Sequence, residues 1–556
     1  MLLHRSCSTG SFGKEHHLRV GKFRSIQPIS RLLLLKTQLI QWMELRKTGA
    51  NMETVLRSQT ITRRQLLARL SVSAAVGGMT AGAAFAQDRY DQQALLRFDW
   101  PGQVSLLHLG RFGGELLPHY YRPAALRFGA PAPEALVAEA LRVRFGIGGR
   151  QPMDYALTHS AFDELAQYYG KMGGISHVAT VIKALKQRHP DTLVLGNAEG
   201  DAGALGPFPG GVGAVRALIS SLALDVSNEE AGPAVQMFER GGIQLGIVSL
   251  RGETVAKVTQ QKVKQLRDDG AQIVGCLSDL NLAQARLLAD KITGLDLIFA
   301  DDVALPEAEK VKDTLIISSG AQGRFVTRFD FDVVDGKLTE IEQKLIPVFA
   351  DLIAPEAQMA MEVEKARAPH AAMLTEPVGV AGITLYQAGA LRSTWDDLIC
   401  AALRAELKTD IALWPALEAG RTIIAGQSIT REDILSVTGS IRVTRQRLEG
   451  HEIKAILERA AEAATAAGGR TGQQGRMIRS GGLMFTLDMT RKPGSRIRDL
   501  RLEGGQPIEG ARGFDLVVVT DQGAENPLAS DLVEKYIAKR GRVGPGLGGA
   551  IRLLVP

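Results

Sequence analysis

The 556-residue sequence is poor in cysteine and aromatic residues. Its three cysteines, Cys7, Cys276 and Cys400, have neither the spacing of a metal-binding pair nor that of a disulfide framework. A lone cysteine in an apolar strand or helix is more often a small buried hydrophobe than a nucleophile. The scarcity of cysteine therefore excludes a thiolate zinc protein and a disulfide-rich secreted scaffold.

The excess of positive charge is confined to the first 86 residues. Residues 1–51 contain nine Lys/Arg against two acidic residues, and residues 52–86 contain four against one. From Gln87 onward 57 acidic residues outnumber 53 basic ones, so a chain starting there has a formal charge of −4, whereas the full sequence has +6. A basic face is the main requirement for binding nucleic acid. We therefore predict no nucleic-acid partner.

Residues 52–86 have the pattern of a twin-arginine export signal. Arg63 and Arg64 precede an apolar run rich in Ala and Gly, which ends in the cleavage-like Ala84-Phe85-Ala86. The run is too weakly hydrophobic for a membrane span. We predict export to the periplasm, no membrane span in the mature chain, and a non-native N-terminal extension over residues 1–51.

Apolar strands and amphipathic helices alternate through the middle of the chain. Val104 to Leu109 reads as a buried strand that ends in a glycine-rich loop, and the alternation continues from Ile243 to Ala300. This order predicts an α/β layered domain. A helical segment within residues 346–374 then reads as a linker, and a capping pattern at Ser393 begins the first helix of a second domain.

Several segments resemble one bacterial enzyme family. They are LLPHYYRP at 116–123, YYGKMGGISHVATVIKALKQRHP at 168–190 and SGGLMFTLD at 480–488. These segments are similar to the thiosulfohydrolases (SoxB) of the Sox sulfur-oxidation system, which are relatives of the two-domain periplasmic 5′-nucleotidases. The resemblance implies a four-layer αββα metallophosphoesterase-like domain over residues 102–345, a linker helix over 346–374 and an α+β 5′-nucleotidase-type C-terminal domain over 375–556.

The same resemblance implies a two-metal site, and the sequence departs from the family pattern there. The family ends its first strand in Asp-x-His, where this chain has Arg111 and Gly113. The other positions of the former site are Glu199, Asn228, Glu229, Asp279, Asp301, Asp302 and Gln322. A catalytic pair of manganese or zinc ions is normally bound by imidazole and carboxylate ligands together. Only oxygen ligands remain here, with a cation among them.

Two hypotheses about function follow. The first is a catalytically degenerate homologue that needs no cofactor, in which Arg111 pairs with a carboxylate and the protein binds a sulfur-carrier protein of the Sox type or another partner. The second is an active thiosulfohydrolase or phosphoesterase that uses two Mn²⁺ as in the family, or a weakly bound Mg²⁺ or Ca²⁺. The weak metal candidates are Glu199, Asn228, Asp279 and Asp302. Loss of the imidazoles favours the first hypothesis.

Two further regions are candidates for contact with a substrate or partner. The resemblance places His119, Tyr120, Tyr121 and Arg122 along a substrate or partner channel. In the second domain, Arg476, Arg479 and Arg491 form a basic stretch, which we predict to be a solvated face, with a docking site for an acidic carrier as the alternative.

Overall fold

The structure is a computed structural model. It describes residues 92–96, 102–123, 138, 141–143, 146–197, 203–228, 234–251, 256–301, 306–417, 420–465, 476–521, 523–545 and 549–554. The predicted N-terminal extension and export signal lie outside these residues.

In the described part of residues 102–347, the strands form two sheets. The strands are β1 Val104–Leu109, β2 Leu193–Gly196, β3 Val226–Ser227, β4 Ala234–Arg240, β5 Ile243–Leu250, β6 Ile273–Ser278, β7 Leu297–Ala300, β8 Pro306–Val311, β9 Thr314–Ser319, β10 Phe325–Val334 and β11 Lys337–Pro347. The first sheet has the order β11-β10-β1-β2-β3, and the second has the order β4-β5-β6-β7-β9-β8. Neighbours among β1, β2 and β3 are parallel, as are those among β5, β6, β7 and β9. Their carboxyl ends therefore gather at one edge of each sheet.

Helices cover the outer faces of both sheets. They are α1 Gln92–Leu95, α2 Pro152–Leu157, α3 Phe162–Tyr169, α4 Ile175–Arg188, α5 Gly211–Ser220, α6 Ala256–Asp268 and α7 Leu282–Lys291. A helix such as α4 forms because Ile175, Val178, Ile182 and Leu185 recur along one face, which is buried. Its exposed face carries charged side chains.

The alternation of side chains along the strands produces four layers. In β1, Val104 and Leu106 pack in the apolar cluster between the sheets, whereas Leu107 and Leu109 pack against the helices. In β5, Leu245 faces the other sheet, and Val248 faces the helices of the second sheet. The order of layers is helix, sheet, sheet, helix, which is the predicted αββα architecture.

A helical connection leads from these two sheets to the C-terminal half. It consists of α8 Ala357–Arg367, a short 3₁₀ turn and α9 Ala371–Leu374. Glu356 caps α8 by accepting a hydrogen bond from the backbone N–H of Met359 at 2.7 Å. Met359 and Val363 are buried, so the connection packs as part of the folded protein.

The described part of the C-terminal half forms three small sheets and four further helices. Its strands are β12 Pro377–Ala381, β13 Ile411–Trp414, β14 Ser428–Thr430, β15 Arg442–Glu449, β16 Arg479–Gly481, β17 Leu483–Asp488, β18 Ile497–Leu502, β19 Gly513–Thr520, β20 Arg542–Val543 and β21 Ile551–Leu554. The helices are α10 Thr394–Leu407, α11 Arg431–Thr438, α12 Gly450–Thr465 and α13 Ala529–Arg540. The sheet orders are β14-β12-β20, β15-β19-β13-β16 and β18-β17-β21. This mixture of sheets and helices agrees with the α+β prediction.

The prediction of a solvated basic face in the C-terminal half is wrong for two of its three arginines. Arg479 is buried, and its Nε lies 2.6 Å from Asp396 Oδ2. Arg476 is also buried, and it donates to the carbonyl of Leu417 at 2.6 Å. Of the three, only Arg491 has a half-exposed side chain, and it pairs with Asp488 at the end of β17. The buried guanidinium groups of Arg476 and Arg479 contribute to the fold, because a buried charge requires bonded partners. Arg476 and Arg479 are therefore not available to an acidic carrier.

Both cysteines in the described residues are buried and free. Burial raises the pKa of both thiols, which keeps them protonated and unreactive. Among the described residues we also find no helix that is long and apolar enough to cross a membrane.

Candidate functional site

Polar residues converge where the parallel strands end. Arg111 follows β1, Asn197 and Asn228 directly follow β2 and β3, and Ser278 and Asp301 lie at the ends of β6 and β7. Gln322, in the loop after β9, reaches the same place. We call these six residues the strand-end site. In α/β proteins the carboxyl ends of parallel strands are the usual place for binding and chemistry.

An ion pair joins the two sheets at this site. Arg111 Nε donates to Asp301 Oδ2 at 2.9 Å, and the backbone N–H of Arg111 donates to Asp301 Oδ1 at 3.1 Å. The side chain of Asp301 is 0% exposed, whereas that of Arg111 is 29% exposed. Arg111 thus binds both oxygens of a buried carboxylate.

The loops after β1 and β9 touch through their backbones. The carbonyl of Arg111 accepts a hydrogen bond from the backbone N–H of Gln322 at 2.6 Å. At Gly110 a Cβ would lie 1.7 Å from the carbonyl oxygen of Gly320, so no larger residue fits. This contact fixes the position of the Arg111 backbone relative to the end of β1.

Three carboxamide groups at the site have unused bonding capacity. Asn197 Nδ2 donates to the carbonyl of Ser278 at 3.2 Å, but its Oδ1 has no hydrogen-bond partner in the described part of the chain. Both polar atoms of Asn228, and Nε2 of Gln322, are buried and also without a partner there. Buried polar groups are normally hydrogen-bonded, so these atoms can bind water or a ligand at this site.

The residues that the structure describes at this site do not fit a pair of transition-metal ions. Within the described residues no three His, Cys, Asp or Glu side chains lie close enough together to hold a metal. The carboxylate of Asp301 is bonded to a guanidinium, which would repel a dication. Glu199, Glu229 and Asp302, which the sequence placed at this site, lie outside the described residues, and Asp279 is half-buried after β6.

An imidazole does lie in β1, but it belongs to the core. His108 is buried between the sheets, where its Nδ1 lies 2.7 Å from Ser319 Oγ and its ring contacts Phe299. Burial lowers its pKa to about 3, so the ring is neutral. His108 therefore fills the space between the sheets.

The residues of the expected channel lie where the loop after β1 meets the C-terminal half. His119 and Tyr121 are buried, and Tyr120 and Arg122 are half-buried. The carbonyl of Tyr120 accepts a hydrogen bond from the backbone N–H of Thr422 at 2.8 Å, and Arg122 lies over the ring of Tyr386 at 4.1 Å. Tyr120 and Arg122 therefore join the two halves.

Comparison with known proteins identifies the C-terminal half. Residues 371–521 match the family model of the 5′-nucleotidase, C-terminal domain. The chain carries a 5′-nucleotidase C-terminal domain. No curated protein sequence matches the chain.

Solved structures show that this domain and the two preceding sheets form a known arrangement. A structure described as the sulfate thiohydrolase SoxB of Thermus thermophilus in complex with glycerol is similar to this chain at 24% identity with a TM-score of 0.74, covering 82% of this chain and 98% of that one. A 5′-nucleotidase precursor, also from Thermus thermophilus, is similar at 16% identity with a TM-score of 0.62, covering 81% and 99%. The fold predicted from the resemblance is confirmed.

The sequence did not single out Asn197 or the residues that bind the loop after β1 to the 5′-nucleotidase C-terminal domain. Asn197 is one residue beyond Gly196, just as Asn228 is one residue beyond Ser227, and these two glycine and serine positions pair in register. Correct prediction of this strand register from the sequence would have placed Asn197 and Asn228 side by side at the edge of the sheet. The residues that bind the loop, Glu115 and Arg421, are 306 positions apart, so no local pattern links them.

Proposed function

We propose that this chain is a periplasmic, non-hydrolytic relative of SoxB that binds a sulfur-carrier or partner protein of a sulfur-oxidation system. It consists of the two domains predicted from the sequence, residues 102–345 and 375–556, joined by a linker helix. Its strand-end site holds an internal cation in place of metal ions. Export by the twin-arginine route delivers it to the periplasm.

The observation that carries this proposal is the Arg111–Asp301 ion pair. A two-metal hydrolase stabilises the attacking and leaving oxygens with two dications held by carboxylates and imidazoles. Here the buried carboxylate of Asp301 is neutralised by Arg111. The two-domain fold still provides surfaces that can bind a partner protein. A fold does not by itself imply catalysis, because function depends on the residues of the site.

The deciding experiment combines elemental analysis with an activity assay. The exported protein is purified from cells grown with manganese and zinc. We expect it to carry neither metal stoichiometrically. We also expect it to hydrolyse neither a 5′-nucleotide nor a carrier-bound sulfonate. Two transition-metal ions per chain with manganese-dependent turnover would overturn the proposal. Binding to a purified Sox-type carrier is measured in parallel by calorimetry.

A matched variant tests the role of the first strand end. Arg111→Asp with Gly113→His returns the Asp-x-His pattern of the family to this loop. Gly113 has φ of +60°, a region in which histidine is better tolerated than branched residues. If only these two ligands are missing, the variant gains metal; if the loss is spread over the whole site, it stays metal-free, as we expect.

A second candidate function is an active hydrolase with an oxygen-rich site. The unbonded amide oxygens of Asn197 and Asn228 favour it, since hard cations such as Mg²⁺ and Ca²⁺ bind neutral oxygen ligands. It requires Arg111 to leave Asp301. Turnover that depends on added Mg²⁺ or Ca²⁺, and is lost in Asn228→Leu, would support this candidate instead.

A further inference from the structure

A buried group of charged residues connects three separate parts of the chain. Glu115 comes from the loop after β1, Arg367 from the end of α8, and Arg421, Glu432 and Asp433 from the C-terminal domain. All five are no more than about one-tenth exposed. We call these five residues the junction network.

The contacts form a continuous chain of ion pairs. Arg421 Nε donates to Glu115 Oε2 at 2.8 Å, and Arg421 also donates to Glu432 Oε1 at 2.9 Å. Arg367 binds the same Glu432 with both of its terminal nitrogens, one of them at 2.8 Å. Asp433 Oδ1 lies 3.6 Å from Arg421. Two guanidinium groups thus bind three carboxylates.

The charges in the network depend on one another. Burial by itself would lower the pKa of Arg421, but the carboxylates of Glu115, Glu432 and Asp433 outweigh burial and raise it. Burial lowers the pKa of the neighbouring His119, whose Nδ1 is 4.0 Å from Glu115 Oε2. Each carboxylate of the network therefore lies beside an arginine that belongs to a different helix or loop.

Such a network can form in only one arrangement of the three parts. Contacts between domains of one chain allow relative motion unless the interface is large and well packed. Buried charges change this, because any rotation that separates Glu115 from Arg421 leaves both without a partner in a poorly solvated place. The peptide contact between Tyr120 and Thr422 alone would not impose that penalty.

We propose that the junction network locks the N-terminal domain and the C-terminal domain in a single orientation. Because Glu115 and Arg111 belong to the same loop, the lock also positions the loop that carries Arg111. The inference does not depend on whether the protein hydrolyses anything.

The test measures the distance between the two domains. Spin labels are placed at Asp269→Cys in the N-terminal domain and Lys454→Cys in the C-terminal domain, in a Cys7→Ser background. Both positions are exposed, and Cys276 and Cys400 are buried. Pulsed electron spin resonance then gives the distribution of distances between the labels in the full chain.

Arg421→Met is the informative variant. We expect its distance distribution to be at least twofold broader than that of the parent, and trypsin to cut at Lys365 or Arg367 at least tenfold faster. Arg479→Met is the matched control, since it removes another buried arginine, whose partners among the described residues lie within the C-terminal half. The control should keep the parent distribution.

Two outcomes would overturn the inference. One is a folded Arg421→Met protein with the parent distribution and the parent cleavage rate. The other is equal broadening in Arg479→Met, which would mean that any loss of a buried arginine loosens the protein. If Arg421→Met does not fold, Glu115→Gln decides, because it leaves the Arg421–Glu432 pair intact and removes only the charge from the N-terminal side. A parent-like Glu115→Gln would then count against the lock.

Discussion

Replacing Arg111 by alanine should destabilise the N-terminal domain. The change removes the guanidinium from Asp301 and leaves a carboxylate whose side chain is 0% exposed. Breaking a fully buried ion pair by removing one partner costs about 3–5 kcal/mol. The cost here should be lower, about 2–3 kcal/mol, because Arg111 is 29% exposed and its backbone N–H still binds Asp301 in the variant.

The measurement is urea unfolding followed by far-ultraviolet circular dichroism. Circular dichroism is preferred to fluorescence, because Trp395 and Trp414 lie in the C-terminal domain and their emission would report mainly on that domain. A double-mutant cycle with Asp301→Asn separates the ion pair from other effects. Since asparagine carries no charge, Arg111→Ala should cost about 1–2 kcal/mol less in that background.

Two controls accompany the cycle. Arg286→Ala removes a pair whose side chains are 46% and 37% exposed, so it should cost less than about 1 kcal/mol. Added Mg²⁺ or Ca²⁺ should partly restore Arg111→Ala, because a cation can then neutralise Asp301, and should leave the parent protein unchanged. Strictly additive effects of the two substitutions, or no loss in Arg111→Ala, would refute the reasoning.

Three other predictions concern export, a buried arginine and acid. Replacing Arg63 and Arg64 by lysine should leave the uncleaved protein in the cytoplasm, and normal accumulation in the periplasm on a fractionation blot would exclude the twin-arginine route. Arg479→Met should destabilise the C-terminal domain by about 3–5 kcal/mol, measured by tryptophan fluorescence, because it strands the buried carboxylate of Asp396. Burial would raise the pKa of Glu432, but its two arginine partners outweigh burial and hold it at about 2, below the ordinary value of 4.5. A depressed pKa gives stability that is complete above about pH 4.5 and is lost as the pH falls towards 2, a total of about 3 kcal/mol. Urea midpoints between pH 6 and 2.5 should therefore fall less in Glu432→Gln than in the parent, and parallel curves would contradict this.

The fold could be predicted from the sequence because its signals are local. The apolar run of β1 indicates a buried strand, and the spacing of apolar residues in α4 indicates which face of the helix is buried. The glycine-rich loops indicate where the strands end. The segments at 116–123 and 480–488 then identified the arrangement of the two halves. The structure follows these patterns closely.

The site was less accessible to sequence analysis because its contacts are not local. The sequence indicated that Arg111 would pair with a carboxylate but did not single out Asp301, which is 190 residues away in the other sheet. It read Arg479 as solvated, because an arginine within a basic stretch gives no sign of a buried partner. Burial and long-range pairing arise only when the layers pack.

The backbone contact between Gly110 and Gly320 also bears on how such a protein can evolve. The two loops are fixed against each other by main-chain atoms, and a side chain at Gly110 would collide with a carbonyl oxygen at 1.7 Å. The shape of this edge is therefore set by main-chain atoms and depends on the glycines. Side chains around the strand-end site can therefore be exchanged one at a time while the two loops keep their positions, so a change of chemistry at this edge does not require a change of fold.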